Sequence, residues 1–390
     1  MLRDDGDILK EAALSLVPLL AEQAARTDEE RRLTASTVSA LRESGLFALG
    51  TPRADGGHGA RVRTAVEVCE ALAHGCAASS WIVGIAYGGN LFASQLASAE
   101  RAHIWAHDPG AFVCGTANSS GTVRRTGGGW VLSGHWPYLS GIHHASWALL
   151  GFDWTDGSGA RQRGMALVPA SALSVEDVWR TAGMRGTGSN TAVVEEISVP
   201  DSRVVSLSAM AEGEYRRRHP DEPRVIFHLS INLPLVATAV GIAAATLHRV
   251  VGAVRGGKRV VSPLHTLVAE APSHQVNVAD AATLIDSARL HLLRAADEVD
   301  AAAAAGRVPP LTDRARLRMD AAHAMQCARR AVGLLLDTAG AGSFVSGSVL
   351  ERAWRDIETA SRHAALSIHT SREIYGRALF GAPLPPSPAL

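Results

Sequence analysis

Cysteine is scarce in this chain of 390 residues. Its four copies, Cys69, Cys76, Cys114 and Cys327, show neither C-x-x-C nor His–Cys spacing. Neither disulfides nor structural zinc is therefore expected, and the thiols read as small hydrophobes in a reducing compartment. An excess charge of either sign is also lacking. Thirty-eight basic residues balance 38 acidic ones, so the footprint of a nucleic-acid or anionic-membrane partner is absent. Arg216, Arg217 and Arg218 form the only basic run, which a solvated loop explains. No long hydrophobic run goes uninterrupted: Asn232, Pro234, Thr238 and Gly241 break the most apolar segment, 229–247, which predicts a buried helix rather than a membrane span. Residues 1–7 are acidic and lack the apolar core of a signal peptide, so a cytoplasmic location is expected.

Several chemical signatures are missing as well. Gly127, Gly128 and Gly129 lie between strand-like residues and open no helix. Gly183, Gly186 and Gly188 have the wrong spacing for a dinucleotide-binding turn and precede a strand. G-x-x-x-x-G-K-[ST] is absent, and Ser140 lacks the G-x-S-x-G elbow of a hydrolase. His135, His143 and His144 have no acidic or cysteine neighbour to complete a metal site, so no metal is expected.

What is present begins with bulk. The chain is 47% hydrophobic and 19% charged, enough for a large core and for two or three domains folded as one body. Residues 1–110 are helical in character, with helices expected over 9–25, 36–44, 65–74, 79–97 and 98–106 and a glycine-punctuated loop at 51–59. Residues 111–210 carry short period-two runs separated by Gly and Ser, which predicts a small antiparallel barrel or sandwich. A charged, proline-flanked linker is expected at 211–223. Segments 226–254, 275–305, 312–339 and 349–378, within 225–390, predict an antiparallel four-helix bundle. The fold class is therefore α+β, mainly α: an N-terminal helical domain, a small central β domain and a C-terminal four-helix bundle.

Two stretches carry candidate chemistry. Residues 348–377 read as one continuous helix that opens with Ser348 and Glu351 in capping-box spacing. Ala353, Ile357, Ala360, Ala364 and Ile368 make an apolar stripe, and Asp356, Thr359, His363, Ser367 and Thr370 make a small-polar stripe beside it. His363 there is either a satisfied boundary histidine or part of a cavity wall. In the second stretch, 129–149, two strands deliver Trp136, Tyr138 and Ser140 to a common edge. This is either simple strand packing or an aromatic wall beside a hydroxyl.

Together these features resemble the acyl-CoA dehydrogenase superfamily, and within it the flavin-dependent monooxygenases of two-component systems, the hydroxyphenylacetate and hydroxysteroid hydroxylase type. The resemblance covers nearly the whole chain. It is carried by Pro52 to Gly57 after Gly45-Leu46, by Ser79-Ser80-Trp81, by Trp136 to Ser140, by Gly183 to Ser189 ahead of Ile197 to Pro200, and by Trp354-Arg355-Asp356 followed by His363. It implies that Thr116, Asn118, Trp136, Tyr138, Leu139, Ser140, Thr187 and Ser189 bind flavin, with Ser140 near flavin N5 and His363 facing the reactive C4a edge. Reduced FMN or FAD would come from a separate NAD(P)H:flavin reductase, and O2 would react through a C4a-(hydro)peroxyflavin to hydroxylate an aromatic or polyketide-type molecule. A dry wall with one fixed hydroxyl would protect such an adduct, and an imidazole would carry the proton. Tyr87, Asn90, Thr359 and Ser367 are the substrate-side expectations, and a homotetramer is expected.

The chain also departs from the dehydrogenase pattern. The Tyr-Glu-Gly run that carries the dehydrogenase base is absent, and His363 occupies the region. The loop 255–259 lacks the Arg-x-x-Phe-Gly pattern used on the FAD diphosphate, which leaves FMN or diffusible FAD open. N-oxygenation of an amine or amino sugar, an acyl-CoA dehydrogenase with an unusual base, and a non-catalytic flavin binder are the alternatives.

Overall fold

A computed structural model describes residues 5–211 and 227–384; most of the expected linker, with Arg216 to Arg218, lies outside the described residues. The first block is α1 (Asp5–Glu30), α2 (Ala35–Glu43), α3 (Val62–Ala73), α4 (Ala77–Ala93) and α5 (Ser98–Trp105). Thr34 starts α2 because its hydroxyl accepts the amide of Thr37 at 3.3 Å. Gly45, at φ 73°, follows the helix and turns the chain.

Eight strands follow: β1 (Val113–Thr116), β2 (Gly121–Thr126), β3 (Gly129–Leu139), β4 (Trp147–Thr155), β5 (Arg161–Pro169), β6 (Ser174–Glu176), β7 (Asn190–Pro200) and β8 (Val204–Ser206). They form two four-stranded sheets, ordered β1-β4-β5-β8 and β2-β3-β7-β6. One feature departs from the expected antiparallel arrangement: β1 and β4 run parallel. The three-residue strands β6 and β8 are too short to show an alternation in sequence.

After α6 (Leu207–Ala211), the last block is α7 (Phe227–Arg255), α8 (Pro272–Ala304), α9 (Leu311–Ala339), α10 (Val349–Ala360) and α11 (Ile368–Leu379). The apolar window of α7 is long enough to cross a membrane, but it is 83% buried inside the molecule, packed on α3, α4, α8 and α9. The expected fourth helix is broken. Past Ala360 the Ser361 hydroxyl takes the Glu358 carbonyl, a 3-10 turn runs from Ala364 to Leu366, and Ser367 starts α11 by accepting the Thr370 amide at 3.4 Å. Local side-chain bonds of this kind compete with the helical ladder, so no Gly or Pro is needed for the break. Only half of the expected capping box forms. Ser348 accepts the Glu351 amide at 3.1 Å, but the Glu351 carboxylate turns to Arg355, a charged donor that outcompetes a backbone amide.

Candidate active site

The site is organised around α4, which touches both halves of the molecule. A Cβ placed at Gly186 would meet Ala78, and one at Gly141 would meet Ile82 as well as Phe112. Trp81, on the same turn, meets the His363 ring edge-on, with centroids 5.6 Å apart. His363 is the residue that enters the 3-10 turn, and its carbonyl accepts the Leu366 amide at 2.9 Å. Its surface is open to solvent on one side although it stands among many protein atoms. Burial pushes its imidazole down to about 4. Loss of solvation disfavours the charged ring, so it is neutral at neutral pH.

Against the same helix packs a chain of buried hydroxyls. Ser140 and Ser189 are 2.7 Å apart, Ser189 and Thr187 are 2.7 Å apart, and Thr187 donates to the Met184 carbonyl at 2.8 Å. The Gly141 amide donates to the Thr187 carbonyl at 2.8 Å and ties the end of β3 to this loop. Behind the loop sits a knot of charge. The Met184 amide donates to Asp356 at 2.6 Å, while Arg355 holds Asp28 at 3.0 Å, Glu351, and the Ala182 carbonyl at 2.5 Å. Burial, with Asp28 nearby, pushes the Asp356 carboxyl up to about 7 against the opposing pull of the Met184 amide and Arg355. A cleft lined by Asp28, His74, Arg249, Arg352 and Asp356 opens on the far side of this knot, and none of Ser140, Trp81 or His363 lines it.

Backbone strain gathers in the same place. Among the described residues, three non-glycine residues have positive φ: Arg31 (55°), Tyr138 (68°) and Met184 (53°). All three touch Trp179. Its indole donates to the Met184 carbonyl at 2.9 Å, its carbonyl takes Arg31 at 3.5 Å, and its ring meets Tyr138 edge-on. Strain of this kind costs about 1–3 kcal/mol per residue and persists only where the surroundings over-determine it.

The expected site residues divide accordingly. Ser140, Thr187 and Ser189 come together. Leu139 is buried beside them, and Tyr138 stands outside the sheet, 60% exposed. Trp136 does not join them: it is fully buried and its indole donates to the Gly151 carbonyl at 2.8 Å. The shared edge expected for Trp136, Tyr138 and Ser140 is undone by a register shift between Trp136 and Leu139, where the positive φ of Tyr138 reverses the alternation. Thr116 closes β1 and accepts the Asn118 amide at 3.4 Å, with β1 packed on β3. Tyr87 and Asn90 are buried and bonded to the N-terminal block. The Tyr87 hydroxyl donates to the Ala60 carbonyl at 3.1 Å, and the Asn90 amide donates to the Phe47 carbonyl and the Thr51 hydroxyl, both at 2.9 Å. Thr359 ends α10 and Ser367 caps α11, so the polar stripe is not one helix face. His143 meets the Asn190 amide at 2.9 Å, and His135 lies 3.7 Å from Glu176 on the surface.

Comparison with known proteins follows this geometry. Sequence models described as "Acyl-CoA dehydrogenase, N-terminal domain" and "Acyl-CoA dehydrogenase, C-terminal domain" match residues 8–100 and 233–368. The flavin-dependent monooxygenase oxygenase subunit HsaA of Rhodococcus jostii is 30% identical over 95% of this chain and 97% of its own. This chain belongs to the acyl-CoA dehydrogenase family, in its flavin-dependent monooxygenase branch. Another relative in the branch, the FADH(2)-dependent resorcinol hydroxylase oxygenase component of a Rhizobium species, is 30% identical over 93% of this chain and 91% of its own. Among solved structures, XiaF from Streptomyces in complex with FADH2 and glycerol superposes with a TM-score of 0.90 at 34% identity, over 98% of this chain and 97% of that one.

Within this monooxygenase branch, the donor set suits an isoalloxazine. It offers an exposed aromatic at Tyr138, a hydroxyl at Ser140 and a neutral imidazole against Trp81 of α4, with no charge on the hydroxyl chain. Sequence reasoning overlooked Trp179 and Met184. The only signal was the glycine run around Met184, because Trp179 lies in an irregular segment and two of its partners, Arg31 and Tyr138, are far away in the chain.

Proposed function

We infer that this protein is the oxygenase component of a two-component monooxygenase that hydroxylates an aromatic or polyketide-type small molecule. Bound reduced FMN or FAD, delivered by a separate NAD(P)H:flavin reductase, supplies the electrons with which one atom of O2 enters the substrate and the other leaves as water. Thr116, Asn118, Tyr138, Leu139, Ser140, Thr187 and Ser189 would hold the flavin, with Ser140 toward its N5, and Trp136 would support that wall from behind. His363 faces the reacting edge. Neutral at physiological pH, it accepts a proton from the substrate hydroxyl or from a bound water, and the edge of Trp81 holds its plane. The observation that carries this reading is a neutral His363 against Trp81 of α4, beside the uncharged hydroxyl chain that packs on the same helix.

The test loads the purified protein anaerobically with FMNH2 or FADH2 and mixes it with 18O2 and a panel of phenols. The expected outcome is a transient absorbance distinct from both flavin redox states, followed by a product that carries one 18O atom. Flavin oxidation with stoichiometric hydrogen peroxide, no transient and no labelled product would reject the reading. Bleaching of bound oxidised FAD by an acyl-CoA would assign dehydrogenase chemistry instead. Exposed Val261, Leu264, Leu290, Trp354, Leu379 and Phe380 concentrate on the C-terminal block and support a homotetramer, which light scattering would read as a mass four times 40.9 kDa.

A further inference from the structure

The hydroxyl chain has a direction, set by its far end. A carbonyl oxygen cannot donate, so Thr187 Oγ1, 2.8 Å from the Met184 carbonyl, must point its only proton there. That carbonyl is itself fixed by the Trp179 indole at 2.9 Å and the Thr187 amide at 3.1 Å. Having spent its proton, Thr187 can only accept from Ser189, 2.7 Å away. Ser189 in turn can only accept from Ser140, also 2.7 Å away. Thr187 is 1% exposed, Ser189 5% and Ser140 7%, so bulk water does not compete to turn these protons around. Ser140 is left with its proton directed inward and its lone pairs free for whatever meets its remaining face.

An atom that meets Ser140 must therefore donate. The two redox forms of an isoalloxazine differ in this respect at N5: the reduced ring carries an N–H there, whereas the oxidised ring carries a bare lone pair. We propose that Thr187 and Ser189 are positioning residues that hold Ser140 as a hydrogen-bond acceptor and thereby make the site select reduced over oxidised flavin. The proposal rests on the reading that flavin binds with N5 at Ser140. Oxidised flavin would set two lone pairs against each other or force the chain to break one buried hydrogen bond, a penalty on the order of tenfold in affinity. The same polarity favours release of oxidised flavin after turnover, as a diffusible cofactor requires.

The test compares dissociation constants for oxidised FMN and FAD with those for their dithionite-reduced forms, measured anaerobically by fluorescence titration and competition. The wild-type protein should bind the reduced forms about tenfold more tightly or better. Ser189→Ala frees the Ser140 proton to turn outward, and Thr187→Val removes the terminal donor. Each should bring the ratio close to one, mainly by tightening the oxidised complex, and Ser189→Thr should restore it. Circular dichroism confirms folding, and both truncations are close in size to the residues they replace. A ratio unchanged in both variants, or a wild-type protein that binds both redox forms equally, overturns the proposal and leaves the proposed function standing. A wild-type protein that binds neither form rejects the proposed function as well.

Discussion

Two polar assemblies meet at Met184 and differ in kind. On the reacting side its carbonyl terminates a chain of neutral hydroxyls, Thr187, Ser189 and Ser140, linked at 2.7–2.8 Å. On the far side its amide ends in a charged knot of Asp356, Arg355, Asp28 and Glu351. Charge is strong, but its energy hardly depends on which lone pair is used; a hydroxyl chain is weaker but carries direction. The loop is held on one side by the Asp356 carboxyl and the Arg355 ion pairs, and on the other by neutral hydroxyls. One residue, Met184, separates the two assemblies, so the hydroxyl side carries no ionised group of its own.

The sharpest way to break this division is at Gly183, where the backbone of α10 passes so close that any Cβ would overlap the Arg355 carbonyl oxygen and the Asp356 amide. Gly183→Ala should destabilise the fold by about 3 kcal/mol, since backbone gives way less readily than a side-chain tip. It should also loosen the hydroxyl side, because Met184 joins the two. A urea midpoint equal to wild type would show that α10 is not clamped to the loop. Next in size is His363→Asn, which should reduce product formed per reduced flavin by about 100-fold, the usual contribution of one proton carrier. Its urea midpoint should barely move, because the ring has an open face. A large loss of stability with coupling unchanged would return His363 to the scaffold.

The sequence made much of this visible, and the limits are instructive. The block order and most helices and strands follow from hydrophobic period and turn residues, which are local signals. That Ser140, Thr187 and Ser189 come together was legible because their motifs lie at recognisable spacings. The orientation of Trp136 was not, since a single bulge at Tyr138 reverses the face of every residue beyond it. The break after Ala360 was equally hidden, because serine side chains made it without glycine or proline. Asp356 toward Met184, and Trp179 toward Arg31 and Tyr138, acquire their roles from partners far away in the chain, which no local pattern encodes.

The charged side can also be read by pH. The folded Asp356 carboxyl titrates near 7, above its ordinary 3.8, so between those values the folded chain holds a proton that the unfolded chain has released. Its contribution to stability is thus complete below about pH 4 and is lost as pH rises through 7, at no more than about 1.4 kcal/mol per pH unit. Asp356→Asn keeps an oxygen for the Met184 amide and cannot ionise, so its urea midpoints at pH 5 and pH 8 should lie closer together than those of wild type. An identical pH slope in the two proteins would assign the titration to another group.

The smallest effect belongs to a serine that resembles the chain serines in chemistry but not in place. Ser367 caps α11 at 3.4 Å from the Thr370 amide and is half-buried, so its hydroxyl satisfies a helix end and aims nothing. Ser367→Ala should cost about 0.5–1 kcal/mol, the lower range for a lost cap, seen as a small shift of the urea midpoint. The reduced-to-oxidised flavin ratio should stay at its wild-type value in this variant. The contrast with Ser189→Ala is the point: both remove one oxygen, yet only the chain serine should change which redox form is held. If Ser367→Ala moves that ratio as far as Ser189→Ala does, preference for the reduced ring reflects general rigidity of the site, and the directional reading of the hydroxyl chain fails.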